Sequence, residues 1–172
     1  MKELEEEITV RFTLNGKKVK VKVKPNTTLL DLLRRKLKIT SVKRGCERGE
    51  CGACTVLVDN QPVNSCLVLA PQIDGKNVVT IEGIAKEGEL HPIQEAFIEA
   101  GAVQCGFCTP GIILTLKAFL DMNPNPSEED IRRAIEGNLC RCTGYTKIIE
   151  AAILAKNYIN KDKSSKDTNT TS

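Results

Sequence analysis

Ile8, Val10, Phe12 and Leu14 alternate with polar positions, and Val19, Val21 and Val23 alternate again after Asn15-Gly16. A strand with one buried face needs this period of two, and Asn-Gly supplies the turn, so residues 8–23 predict a β-hairpin. Thr28 then caps a short helix, with Asp31 three residues on and Leu29, Leu30, Leu32, Leu33 and Leu37 on its apolar side. After a glycine-rich loop, "CTVLVD" and "PVNSCLVL" read as two strands joined by a tight turn at Asn60-Gln61, and "GKNVVTIEGI" adds one more. Strands wrapped around one helix predict a small α+β unit over residues 1–83.

The period changes near Gly83. His91-Pro92 opens a helix through Ala100 that Gly101 stops, and Thr109-Pro110 opens another, "GIILTLKAFLDM", which "NPNP" ends. Ser127 with Asp130 forms a capping-box pattern for a third helix through Glu136, which Gly137 terminates. Thr143 precedes a fourth, with Ile148, Ile149, Ala152, Ile153 and Ala155 at helical spacing. The four predict a compact bundle over residues 84–160. Residues 161–172, "KDKSSKDTNTTS", carry nothing apolar and are expected to form a disordered tail.

Composition narrows the function classes. A hydrophobic fraction of 41% is ordinary for a globular chain of 172 residues. The net charge of +3 is too slight to argue for nucleic acid, and Lys18, Lys20, Lys22 and Lys24 alternate as the wet face of a strand. The start, "MKELEEEITV", lacks the apolar core of a signal peptide, and no apolar run approaches bilayer-spanning length. A cytoplasmic location without membrane contact is expected. Eight cysteines in a reducing compartment argue for metal or redox chemistry over disulfides.

The cysteines fall into two groups. Cys46, Cys51 and Cys54 form C-x4-C-x2-C, with Cys66 following, the spacing of plant-type ferredoxins that hold a [2Fe–2S] cluster. Gly45, Gly49 and Gly52 let the backbone close around sulfur, and Arg44, Arg48 and Lys43 are expected to offset the charge of a dianionic cluster. Structural zinc also takes four thiolates, but it favours paired C-x2-C knuckles over this unequal spacing. The second group, Cys105-x2-Cys108 with Cys140-x-Cys142, is less specific, and zinc remains open for it on spacing alone. Each of its pairs precedes an expected helix start, where free N–H groups and the positive dipole end favour an anionic centre.

Other chemistries find no support. His91 is the single histidine and reads as a cap or surface residue, no hydrolytic triad is recognisable, and neither G-x-G-x-x-G after a strand nor a Walker A motif occurs.

The stretches "GCERGECGACTVLVDNQPVNSC", "QCGFCTPG" and "GNLCRCTGY" resemble the three signature motifs of the small iron–sulfur subunit of the molybdenum hydroxylases. That family includes xanthine dehydrogenase, aldehyde oxidoreductases and aerobic carbon monoxide dehydrogenase. The resemblance covers about residues 8–158 and all eight cysteines. It implies a ferredoxin-like β-grasp domain whose cluster is held by Cys46, Cys51, Cys54 and Cys66. It implies a four-helix domain whose cluster is held by Cys105, Cys108, Cys140 and Cys142. It further implies that Gln104 and Cys142 adjoin the molybdopterin of a large subunit, and that the first cluster faces the FAD of a medium subunit. The whole would be a heterotrimer that dimerises and oxidises an aldehyde, the preferred class at this point, or an N-heterocycle, with no substrate site on this chain. An apolar patch around the Gln104 and Cys142 loops is then expected. The competing reading, a free-standing ferredoxin, leaves everything after the first eighty or so residues without a task.

Overall fold

The computed structural model describes residues 6–86 and 88–167, excepting the side chains of 162–167. It is a mixed α/β fold with a five-stranded sheet and five helices.

The hairpin forms as expected. Strands β1 (Ile8–Leu14) and β2 (Lys17–Val23) pair antiparallel from Ile8↔Val23 to Leu14↔Lys17, around Asn15 and Gly16, both at positive φ. Val10, Phe12 and Leu14 are buried, while Lys18, Lys20 and Lys22 are exposed. Strands β3 (Thr55–Val58), β4 (Gln61–Asn64) and β5 (Asn77–Val79) complete the sheet in the order β2-β1-β5-β3-β4, with β5 parallel to β1 and antiparallel to β3.

Helix α1 (Leu29–Asp31) is capped by Thr28, whose hydroxyl accepts the Asp31 N–H at 3.1 Å. It continues as a wider π-helical turn over Leu32–Lys36, in which the Leu37 N–H reaches the Leu32 carbonyl. Leu29, Leu30, Leu32 and Leu33 are all buried in the core beneath the sheet.

Helices α2 (Pro92–Glu99), α3 (Thr109–Met122), α4 (Glu128–Ala134) and α5 (Thr146–Asp167) enclose a second apolar cluster around Phe97, Ile112, Leu116, Ile131 and Ile148. The two clusters share a wall. Adjacent strand residues point to opposite faces, so Val56 joins the first core and Leu57 the second, with α3 packed on β3. Burial on both sides explains why "TVLV" is apolar without alternation.

Several boundaries differ from expectation. The β3–β4 turn sits at Asp59-Asn60, one residue earlier, because those two carry the positive φ values of 48° and 66° that a tight hairpin turn requires. "PVNSCLVL" is extended only to Asn64, since the chain leaves the sheet to deliver Cys66. Helix α4 ends at Ala134, and α5 begins at Thr146 after Gly144 and Tyr145, both left-handed. The expected tail boundary at 161 also moves, because the helical backbone continues to Asp167 and residues 168–172 lie outside the described set. Once a helix is nucleated and anchored, each further residue gains one hydrogen bond at little extra cost, so polar residues can extend it.

Candidate metal centres

The eight thiols gather into two quartets, and each quartet is two facing pairs. In the first, the N–H groups of Arg48 and Glu50 donate to Cys46 Sγ, both at 3.4 Å, and the Cys46 N–H donates to Cys51 Sγ at 3.4 Å. The Arg48 N–H foremost, then the N–H groups of Cys51 and Glu50, bring the Cys46 thiol down to about 6 against the opposing effect of burial, with the Cys51 thiol adding to the lowering. The loop must come close to do this, and a Cβ on Gly45 would stand 2.7 Å from Cys51 Sγ. Cys54 and Cys66 are the buried pair. Burial pushes the Cys66 thiol up to about 11, and the neighbouring Cys54 thiol adds to the effect.

Side chains around the loop explain how Cys66 arrives. Asn64 Nδ2 donates to the Gly49 carbonyl at 2.8 Å, and Ser65 Oγ donates to the Cys54 carbonyl at 2.7 Å. Both bonds bend the chain out of β4.

The expected charge compensation takes a different form. Arg44 is paired with Asp31 and Glu47, Arg48 with Glu50, and Lys43 Nζ donates to the Thr40 carbonyl. These cations are already matched locally, so the backbone N–H groups are the donors turned toward sulfur.

In the second quartet Cys142 Sγ donates to Cys105 Sγ at 3.5 Å, and both thiols are exposed. Cys108 and Cys140 are the half-buried pair, within hydrogen-bonding reach of each other. Burial pushes Cys108 up to about 12. Burial also raises Cys140, but the Thr143 hydroxyl at 3.1 Å and the N–H groups of Thr143 and Cys142 outweigh it, leaving the thiol lowered. The Phe107 N–H, followed by the Cys142 thiol, lowers Cys105, and the bond to Cys105 raises Cys142.

The helix-start expectation holds for one pair. Cys108 occupies the N-cap position of α3, whereas Cys142 lies before the Gly144-Tyr145 turn and not at the first turn of α5. Thr143 there accepts the Tyr145 N–H at 3.1 Å. His91 lies in neither quartet, and its Nδ1 accepts the Ile93 N–H at the start of α2. Sequence reasoning placed Thr143 only as a helix start and missed Asn138 and Tyr145, since their roles depend on contacts that spacing does not announce.

Among the described residues no three His, Cys, Asp or Glu side chains converge as a single metal ion would require. Two facing thiol pairs per quartet suit a binuclear centre with two thiolates on each metal ion, as in [2Fe–2S] chemistry. Gln104 is exposed beside Cys105. Around these loops Val103 is 44%, Phe107 45% and Leu139 59% exposed, as an apolar surface there requires.

Known proteins resemble this chain along most of its length. Residues 12–79 match the 2Fe-2S iron-sulfur cluster binding domain family and residues 80–153 the [2Fe-2S] binding domain family. The chain is 55% identical over 141 residues to the nicotinate dehydrogenase small FeS subunit of Eubacterium barkeri, covering 82% of this chain and 90% of the relative. It is 48% identical to the xanthine dehydrogenase iron-sulfur-binding subunit of Escherichia coli O157:H7, covering 86% of this chain and 94% of the relative. The crystal structure of quinoline 2-oxidoreductase from Pseudomonas putida 86 superposes with a TM-score of 0.87 at 40% identity, covering 91% of this chain and 98% of that one. The chain therefore belongs to the family of small [2Fe–2S] subunits of the molybdenum hydroxylases.

Proposed function

We propose that this protein is the electron-transfer subunit of a molybdenum hydroxylase complex, with Cys46, Cys51, Cys54 and Cys66 holding one cluster and Cys105, Cys108, Cys140 and Cys142 the other. The two clusters would supply one-electron carriers between the molybdopterin of a large subunit and the FAD of a medium subunit. The observation that carries this reading is the pairing of thiols in both quartets, with the outer pair of the second exposed.

Residues 1–83 form the ferredoxin-like β-grasp unit in this reading and residues 84–160 the four-helix unit. Gln104 offers an exposed amide that donates and accepts at once, which suits the mixed edge of a pterin, and Cys142 lies at the same surface. Val103, Phe107 and Leu139 would be covered by the large subunit. The assembly would be a heterotrimer that dimerises in the cytoplasm, and no helix among the described residues is long and apolar enough to cross a membrane. Of the two substrate classes, an N-heterocycle is favoured, because a relative at 55% identity is a nicotinate dehydrogenase subunit. A free-standing ferredoxin has no use for the second quartet.

Gln104→Ala in the assembled complex tests the docking. Both clusters and the complex should survive while substrate-driven reduction slows. Unchanged reduction kinetics in an intact complex would remove Gln104 from the pterin contact. A native protein that purifies alone would refute the subunit reading.

A further inference from the structure

Asn15-Gly16 closes the first hairpin, and no other asparagine in the sequence is followed by glycine. The turn has a second task. Both ends of the Asn15 amide are spent on Thr80, 65 residues on: Oδ1 accepts the Thr80 N–H at 2.9 Å, and Nδ2 donates to Thr80 Oγ1 at 2.9 Å. A main-chain N–H can only donate, which fixes the orientation of the amide. The Thr80 hydroxyl gives its own proton to Glu82 Oε2 at 2.5 Å, so Nδ2 meets a lone pair there.

Thr80 is fully buried and stands where the chain crosses between the cores, Val78 belonging to the first apolar cluster and Ile84 to the second. The Asn15 N–H also donates to the Val78 carbonyl at 3.0 Å, and a Cβ on Gly83 would stand 2.2 Å from Asn15 Oδ1. Main chain, side chain and close packing therefore lock the turn to the crossing.

The same turn carries a chemical liability. Gly16 is exposed and has no Cβ, so its nitrogen is unhindered for attack on the side-chain carbonyl of Asn15. We propose that Asn15 is a deamidation site held shut by Thr80, and that its conversion releases the crossing between the two cores. In the reaction the Gly16 nitrogen bonds to Asn15 Cγ and loses its proton, the Cγ–Nδ2 bond breaks, and ammonia leaves with that proton. The cyclic imide then takes up water, opening at Cγ to give aspartate or at the main-chain carbonyl to give isoaspartate. No electrons change hands, and water is the co-reactant. Thr80 keeps both amide atoms turned to the crossing, and attack needs the side chain to rotate back over its own turn, so the reaction waits on local opening. Neither product restores the donor that Nδ2 gives to Thr80 Oγ1. Aspartate competes with Glu82 for a single hydroxyl proton and sets a carboxylate against a buried residue, while isoaspartate lengthens the main chain of a tight turn.

The test incubates the full-length folded protein at mildly alkaline pH beside the same chain unfolded in urea, and follows conversion at Asn15 by peptide mass mapping. Three variants accompany it. Thr80→Val removes the hydroxyl acceptor, Gly83→Ala presses a methyl onto Asn15 Oδ1 while leaving Thr80 whole, and Thr80→Ser keeps the hydroxyl. Folded wild type and Thr80→Ser should both convert far more slowly than the unfolded chain. Thr80→Val and Gly83→Ala, still folded, should convert about tenfold faster than folded wild type, the factor that one net hydrogen bond gives to a local opening. Converted protein, separated by its added negative charge, should show faster amide hydrogen exchange over residues 80–84 than unconverted protein, with exchange in α5 unchanged. Folded wild type converting as fast as the unfolded chain would overturn the proposal, and so would wild-type rates in both folded variants. Unchanged exchange over 80–84 after conversion would overturn the release of the crossing. If one variant does not fold, the other decides, and loss of the fold in both would overturn the proposal by making the joint a folding element.

Discussion

The two thiol quartets have the same chemistry and opposite constructions. The first is largely local: one loop carries Cys46, Cys51 and Cys54, its own N–H groups serve the sulfurs, and Cys54 and Cys66 are buried. The second joins segments 37 residues apart, keeps Cys105 and Cys142 exposed, and leans on Thr143 and Tyr145 from its own turn. A buried, loop-wrapped site is stabilised by the chain around it. An open site between distant segments gives access to a partner, and its geometry depends on how the helices pack.

Ligand loss should expose that contrast most strongly. Cys54→Ser and Cys105→Ser should each lower the iron content from about four to about two per chain, because in the proposed reading each quartet would hold one two-iron cluster. Cys54→Ser should also lower the thermal midpoint more than Cys105→Ser, since losing a centre from the buried site removes folding energy from a core. Equal destabilisation would break the comparison.

Deleting the largest side chain of the helical core comes next. Phe97 is 1% exposed, and Phe97→Ala should cost about 3–5 kcal/mol in denaturant unfolding. Because Leu57 of β3 belongs to the same core, the first region should unfold in the same transition. Two separated transitions would show that the shared wall does not couple the regions.

Helix caps provide a smaller probe. Thr28→Ala and Ser127→Ala each remove a side-chain acceptor for an N–H three residues on, and each should cost about 1 kcal/mol. Similar losses in both regions, read from equilibrium unfolding, would locate the contrast in the thiol sites and not in general helix stability.

Acidification should have the smallest effect. Burial, followed by the positive charge of Lys117, holds the His91 imidazole below its usual range, with Lys86 acting the same way and Asp121 opposing. The unfolded chain then binds the proton first, so this contribution is present above about pH 6.5 and is lost as pH falls through that value toward the folded one. A protonated Nδ1 also cannot accept the Ile93 N–H. The thermal midpoint should fall slightly between about pH 7 and 5, and His91→Asn, a non-titrating cap, should flatten that slope.

Much was legible in the chain because it rests on short-range rules. Alternation and Asn15-Gly16 predicted the hairpin, Thr28 and Ser127 announced their helices, and the spacing of Cys46, Cys51 and Cys54 announced a loop-held iron–sulfur site. Spacing left zinc open for Cys105, Cys108, Cys140 and Cys142, since sequence distance does not say how separated segments pair.

Tertiary structure decided the rest. It turned the end of an expected strand out of the sheet at Ser65, matched Arg44 and Arg48 to carboxylates, and set Val56 and Leu57 into different cores. It also buried Asn138 against Gly52 and brought the Leu139 N–H to the Cys51 carbonyl. Local pattern encodes what a residue does for its own turn or strand. Which distant carbonyl a buried amide will satisfy depends on how the two cores pack against their shared strand, and no local pattern records that.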